Sequence, residues 1–255
     1  MIDIRFEKYK SLKEVEGMIG EGAVNATGCA DFVSFEGHNP HQTRINAGGT
    51  GVTSLNGLKE GLHEIFLDGA LSLKSPVGLP ASCQIAFFNN TLIEHLYSGN
   101  QKMTEGLRVL SLSSCKELKD LKGMPNSCLS LYINETNLKS FEGMTQNVEC
   151  VSSAWCPCLE TTKGLSAKCK KLNLDWSGIK RLEDIPETIQ EIRVYGCSNL
   201  DTECFHKLPV SVLPKIKGLV PEQQKIVDTI YTKKHRVAYQ QPEIPVLSCL
   251  TLVRA

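Results

Sequence analysis

The chain has 255 residues, with 28 basic and 28 acidic side chains and a formal net charge of zero at pH 7. That balance leaves no electrostatic footprint for a nucleic-acid backbone or an anionic membrane. No apolar run reaches the ~18 residues of a membrane-spanning helix, and Met1-Ile2-Asp3-Ile4-Arg5-Phe6-Glu7-Lys8 lacks the apolar stretch of a Sec signal peptide.

From the N-terminus onward the dominant signal is repetition. An apolar residue recurs at spacings of 3, 2 and then 5 to 6 residues, and the whole unit returns every 20 or 21. Ten units begin at Met1, Glu21, Gln42, Leu62, Cys83, Leu107, Cys128, Val148, Cys169 and Ile189. A period of this size marks stacked repeats that bury a core between neighbours.

The first three units are degenerate. Glu21 and Gln42 put polar side chains in the first column, and Ala26 and Ala47 are small for the third. Their second halves still fit, as in Leu12…Val15…Gly17-Met18, Phe32…Phe35…Gly37 and Val52…Leu55…Gly57-Leu58. The fifth unit carries about three extra residues within 97–104. The clearest unit runs Leu107, Leu110, Leu112, Leu118, Leu121 and Gly123-Met124-Pro125. It is followed by Cys128, Leu131, Ile133, Leu138, Phe141 and Gly143-Met144, and later by Cys169, Leu172, Leu174, Ile179, Leu182 and Ile185-Pro186. Glycine recurs at Gly37, Gly57, Gly78, Gly123, Gly143 and Gly164, where the returning chain requires a permissive backbone.

These units resemble the leucine-rich repeat, L-x-x-L-x-L-x-x-N/C-x-L, over residues 1–209. Two branches of that superfamily are visible. Pro80, Pro125 and Pro186 match the second proline of the short repeats of secreted bacterial effectors, while Val77, Lys122, Glu142, Lys163 and Glu183 replace the first. Leu110-Ser111-Leu112-Ser113-Ser114-Cys115 and Tyr195-Gly196-Cys197-Ser198-Asn199-Leu200 are similar to the repeats of plant intracellular immune receptors. The resemblance implies a horseshoe-shaped solenoid with a parallel β-sheet on its concave face. A 20- to 21-residue period leaves no room for a full convex helix, so the outer side is expected to be extended or 3-10 chain with little α-helix.

Eleven cysteines invite a disulfide or metal reading. The register favours packing instead. Cys83, Cys128 and Cys169 fall in the first core column, and Cys29, Cys115, Cys156 and Cys197 fall in the N/C column. Free buried thiols imply a reducing compartment. Cys156-Pro157-Cys158 with Cys150 has no C-x-x-C pair and no spaced histidine, so no metal or other cofactor is expected. Cys29-Ala30-Asp31 matches the C-x-D motif of ubiquitin ligases fused to some effectors, but it sits at a ladder column inside a repeat. The histidines show no nucleophile–base spacing, and His38 and His41, flanking a turn, are expected to be solvated. No catalytic residue is assigned, and the chain is read as a non-enzyme.

Binding has a location. Alternation along each strand sends positions +2, +4 and +6 of a unit to the concave face. With the strand exit at +7, these columns hold Phe66, Phe87, Tyr132, Trp155, Trp176 and Tyr195, beside Lys171, Asp175 and Arg193. Aromatic residues interleaved with arginine make up interaction hot spots. A register slip by one would turn some rings inward, and Phe87-Phe88 is ambiguous in this respect; the two tryptophans could also fold over the strand ends or lie under the C-terminal segment.

From Val210 the period fails. Pro214, Pro221, Pro242 and Pro245 punctuate this tail, and 222–231 reads as one short amphipathic helix after a proline at N1. Residues 210–255 are therefore expected to cap the open end of a 1–209 array, with 246–253 able to add a strand. Repeats from residue 1 onward leave two options: units one and two act as the other cap, or the chain is part of something longer. Taken together, the sequence predicts a monomeric, non-enzymatic module that binds a protein and neither binds nucleic acid nor inserts into a membrane. The resemblance makes a bacterial effector acting in the host cytosol the favoured reading. The alternatives are the recognition arm of a ubiquitin ligase and the sensing repeats of an immune receptor.

Overall fold

The computed structural model describes residues 2–4, 9–15 and 21–239. The second half of unit one around Gly17-Met18 and the expected strand at 246–253 lie outside the described residues. One sheet of eleven parallel strands runs the length of the molecule. Its strands are β1 (Ile2–Asp3), β2 (Gly22–Asn25), β3 (Gln42–Asn46), β4 (Glu64–Phe66), β5 (Ile85–Phe87), β8 (Val109–Ser111), β9 (Ser130–Tyr132), β10 (Cys150–Ser152), β11 (Lys171–Asn173), β12 (Glu191–Arg193) and β13 (Ile216–Lys217). The extra residues of the fifth unit form an antiparallel hairpin, β6 (Tyr97–Ser98) and β7 (Gln101–Lys102), that leaves the main sheet unbroken.

Every strand of the main sheet from β4 to β12 has the same three-residue layout because the repeat dictates it. The middle residue points inward (Ile65, Ala86, Leu110, Leu131, Val151, Leu172, Ile192), and each lies in register with its neighbours across the sheet. The first-column residues Leu62, Cys83, Leu107, Cys128, Val148, Cys169 and Ile189 are all fully buried. One continuous apolar core results, at roughly 1.5–3 kcal/mol for each large side chain removed from water. Polar Gln42 is nonetheless buried in that column, with its side-chain oxygen accepting the Asn39 amide, whereas Glu21 is exposed.

The N/C column is a ladder of hydroxyls and thiols. Thr91 and Thr136 donate to the carbonyl three residues back, Phe88 and Ile133. Cys115 and Cys156 of the following units donate to those same carbonyls at 3.1 and 3.2 Å. Threonine thus ties a turn within its own unit and cysteine ties adjacent units together. Apart from Cys29, the nine other cysteines among the described residues are free thiols, and burial pushes those of Cys83 and Cys169 up to about 12 and that of Cys128 to about 11.

From unit one to unit nine the described outer side carries no α-helix, only a 3-10 turn at Leu12–Val15, and unit ten closes on a four-residue α-helix at Cys204–Lys207. The recurrent glycine is required sterically. At Gly143 φ is +92°, and a Cβ would lie 2.6 Å from the backbone nitrogen of Lys122 in the preceding unit.

Three features depart from the sequence reading. His38 is fully buried rather than solvated: its Nδ1 accepts the Lys59 amide at 3.0 Å, and its Nε2 lies 3.1 Å from the Gln42 carbonyl. The ring joins units two and three because a turn histidine reaches the next unit as readily as water. The helix of the tail is longer than 222–231, running Pro221–Tyr239 as α2, after a four-residue α1 at Cys204–Lys207 and a 3-10 turn at Leu213–Lys215. Val227 and Ile230 of α2 join the core, and Gln223 donates to the Leu200 carbonyl. Finally, β13 continues the sheet past the point where the sequence period ends.

His38 gives the fold a testable acid sensitivity. The Lys59 donor requires an unprotonated Nδ1, and burial lowers the ring's pKa, opposed by the Gln42 carbonyl and helped by the Lys59 charge. The unfolded chain therefore takes up the proton first, near pH ~6.5, and stability falls as pH drops from there toward the depressed folded value. Urea midpoints compared at about pH 7.5 and about pH 5.5 should show a loss that His38→Gln reduces. An identical pH slope in that variant would contradict the assignment.

Candidate functional site

The parallel sheet turns its +2 and +4 columns to the concave surface and ends each strand at a turn with the same backbone. At +7 the chain adopts left-handed φ in successive units: Gly28, Gly49, Gly69, Asn90, Ser114, Glu135, Trp155, Trp176 and Gly196. Bulky side chains disfavour this conformation by about 1–2 kcal/mol, yet both tryptophans occupy it at φ 59°. The turn places both side chains at the strand exits of adjacent units. The two indoles stack with centroids 5.2 Å apart and planes 11° from parallel, and remain 57 and 55 % exposed. They are neither turned inward nor sealed over the strand ends.

Their neighbours complete the surface. A Cβ on Gly196 would meet the Trp176 ring at 2.4 Å, so the indole lies against bare backbone there. Tyr195 lies in the same way against Gly218, where a Cβ would sit 2.6 Å from the ring. Arg193 stands 5.5 Å over the Tyr195 ring and donates through Nε and Nη2 to Oδ2 of Asp175, at 3.0 and 2.6 Å. Oδ1 of Asp175 accepts the Tyr195 amide at 3.0 Å. Asp175 is buried, so this carboxylate acts by fixing Arg193 and Tyr195 in place. Tyr132, Lys171 and Arg193 border a concavity of about 340 Å³ that also takes in Cys150, Asn173 and Glu191.

Phe66 and Phe87 form a second cluster about five strands away. Phe88 is the fully buried ring and Phe87 the one facing outward, which settles the ambiguity of that dipeptide. Phe66 and Phe87 meet edge to face at 5.2 Å, and Arg44 lies 4.7 Å over Phe66 while pairing with Glu64 at 3.2 Å. The sequence reading did not include Arg44, although its +2 position in unit three was visible. It also omitted Lys217, which lies beyond the period but pairs in register with Arg193. Among the described residues no cluster of His, Cys, Asp and Glu is arranged to hold a metal ion, and no helix is long and apolar enough to cross a membrane.

The repeat consensus together with one in-register sheet of eleven parallel strands gives the chain the fold of a leucine-rich repeat solenoid. No protein-family model matches the sequence, and no curated protein does. Among solved structures the chain is similar to YopM from Yersinia enterocolitica WA-314, with 15% identity and a TM-score of 0.49 over 68% of this chain and 38% of that one. It is also similar to TLR13 in a TLR13–ssRNA13 complex, with 15% identity and a TM-score of 0.44 over 69% of this chain and 28% of that one. The chain thus matches less than half the length of either structure.

Proposed function

We propose that the chain is a non-catalytic interaction module that captures a partner protein on its concave face and the adjoining rim. The observation that carries this reading is the exposed stack of Trp155 and Trp176 beside Tyr195 and a clamped Arg193. Aromatic and arginine side chains held rigid in advance lose little entropy on binding, which is what makes such residues hot spots. A broad, shallow sheet suits an extended protein surface better than a small molecule, which calls for a deep cleft. Free thiols at nine cysteines among the described residues, Cys83, Cys128 and Cys169 in the core among them, favour work in a reducing compartment. With the short repeat, they support an effector delivered by a bacterium to the host cytosol, acting as a monomer on a host protein.

The test is affinity capture from host-cell lysate with mass spectrometric identification, using the wild-type chain and Trp155→Gly/Trp176→Gly in parallel. A partner retained by the wild type and lost from the double variant supports the reading. Equal recovery by both would remove the tryptophans from the site, and no enriched protein in either arm would refute it.

A further inference from the structure

We propose that the C-terminal end of the concave face is a carboxylate receptor, on which an acidic segment of the partner protein lies across β11–β13 with Arg193 and Lys217 as its anchors. This deepens the interaction reading above and rests on it.

The first argument is cross-strand charge. Arg193 and Lys217 are in-register partners on β12 and β13, and both are exposed. Like charges placed directly opposite each other repel, and an anion laid between them would relieve that repulsion. The far end of the same sheet has the reverse arrangement: Arg44 is in register with Glu64 and pairs with it at 3.2 Å. Among the described residues neither Lys171 nor Lys217 has a carboxylate within 4.0 Å, and the Lys217 ammonium reaches only the Pro214 carbonyl at 3.4 Å. Lys13, Lys163, Lys170 and Lys180, outside the concave columns, each meet a glutamate at 2.8 to 3.1 Å. Glu191 is the one acid on β11, β12 and β13 and stands in register with Lys171, while Arg193 is paired with the buried Asp175 at 2.6 Å, so the uncompensated positive charge of this end lies at Lys217, beside the clamped guanidinium.

The second argument is the clamp. Nε and Nη2 of Arg193 converge on one oxygen of the buried Asp175, whose other oxygen is occupied by the Tyr195 amide. Nη1 meets no acceptor among the described residues, on a guanidinium whose position is already fixed. A planar fork held this way matches a carboxylate better than a free lysine does. Asp175 is thus a positioning residue for the receptor.

The test is fluorescence anisotropy on the full chain with a labelled short peptide of alternating Glu and Ser, against the same peptide with Gln in place of Glu. The Glu peptide should bind saturably and lose affinity with added salt, and the Gln peptide should bind at least about tenfold more weakly. Arg193→Gln/Lys217→Gln should weaken the Glu peptide by about tenfold or more, while Lys163→Gln leaves it unchanged. Asp175→Asn removes a negative charge, so through-space attraction alone would tighten binding; loss of the clamp loosens it, and loosening is expected. Equal binding of the two peptides, no saturable binding, an unaffected double variant, or tightening in Asp175→Asn would each overturn the proposal. If the Arg193/Lys217 variant still captures a lysate protein that the tryptophan variant loses, the interaction reading stands and the receptor falls. If the Glu peptide binds as expected but no lysate protein is captured, the receptor stands without that reading.

Discussion

Leu172→Asp is expected to unfold the C-terminal part of the array while the N-terminal units keep their structure. Leu172 is 2 % exposed at the centre of β11, in register between Val151 and Ile192. Replacing its side chain forfeits the ~2–5 kcal/mol typical of a large aliphatic residue cut from a core. A carboxylate left there without a partner adds several kcal/mol more. Because each repeat touches only its neighbours, the damage should spread to units eight to ten and to α2 before it reaches β2–β5. Hydrogen exchange read by mass spectrometry should therefore show lost protection from about residue 148 onward, with 42–112 still protected. A single cooperative transition with wild-type protection throughout would contradict the assignment of Leu172 to the core.

The second large effect is on binding. Trp155→Gly/Trp176→Gly should reduce partner affinity by about 100-fold or more, since each hot-spot ring contributes ~2 kcal/mol or more and 1.4 kcal/mol is tenfold. The fold should hardly notice. Losing the stacked pair forfeits ~0.5–1.5 kcal/mol, and glycine at left-handed φ recovers a comparable amount. Glycine already fills this column at Gly28, Gly49, Gly69 and Gly196. The melting temperature is expected to stay within a few degrees of wild type. A large drop in it would mean that the indoles hold the rim together, and their exposure would lose its functional meaning.

Much of the architecture was legible because the repeat writes each core position many times. Leu110, Leu131 and Leu172 report the same column, so a degenerate unit is placed by its neighbours, and even polar Gln42 is carried into the core. The tail offered no such redundancy: the length of α2 and the strand Ile216–Lys217 follow from packing against the last repeat. His38 was misread because its partners, Lys59 and Gln42, belong to the next unit of the array.

For the candidate site, the sequence by itself assigned an outward column to each strand from its alternation and the fixed period, although it left Phe87-Phe88 open and put Asp175, which is buried, among the outward residues. Tyr132, Lys171 and Arg193 were placed by that rule alone. Only the tertiary structure decided how those residues meet. The left-handed turn at +7 places Trp155 and Trp176 at the strand exits of adjacent units, stacking brings rings from different units within 5.2 Å, and Asp175 spends its charge on Arg193 from the neighbouring unit. These relations depend on the orientation of one repeat against the next, and that is set by the hydrogen bonds between repeats, which no single unit contains.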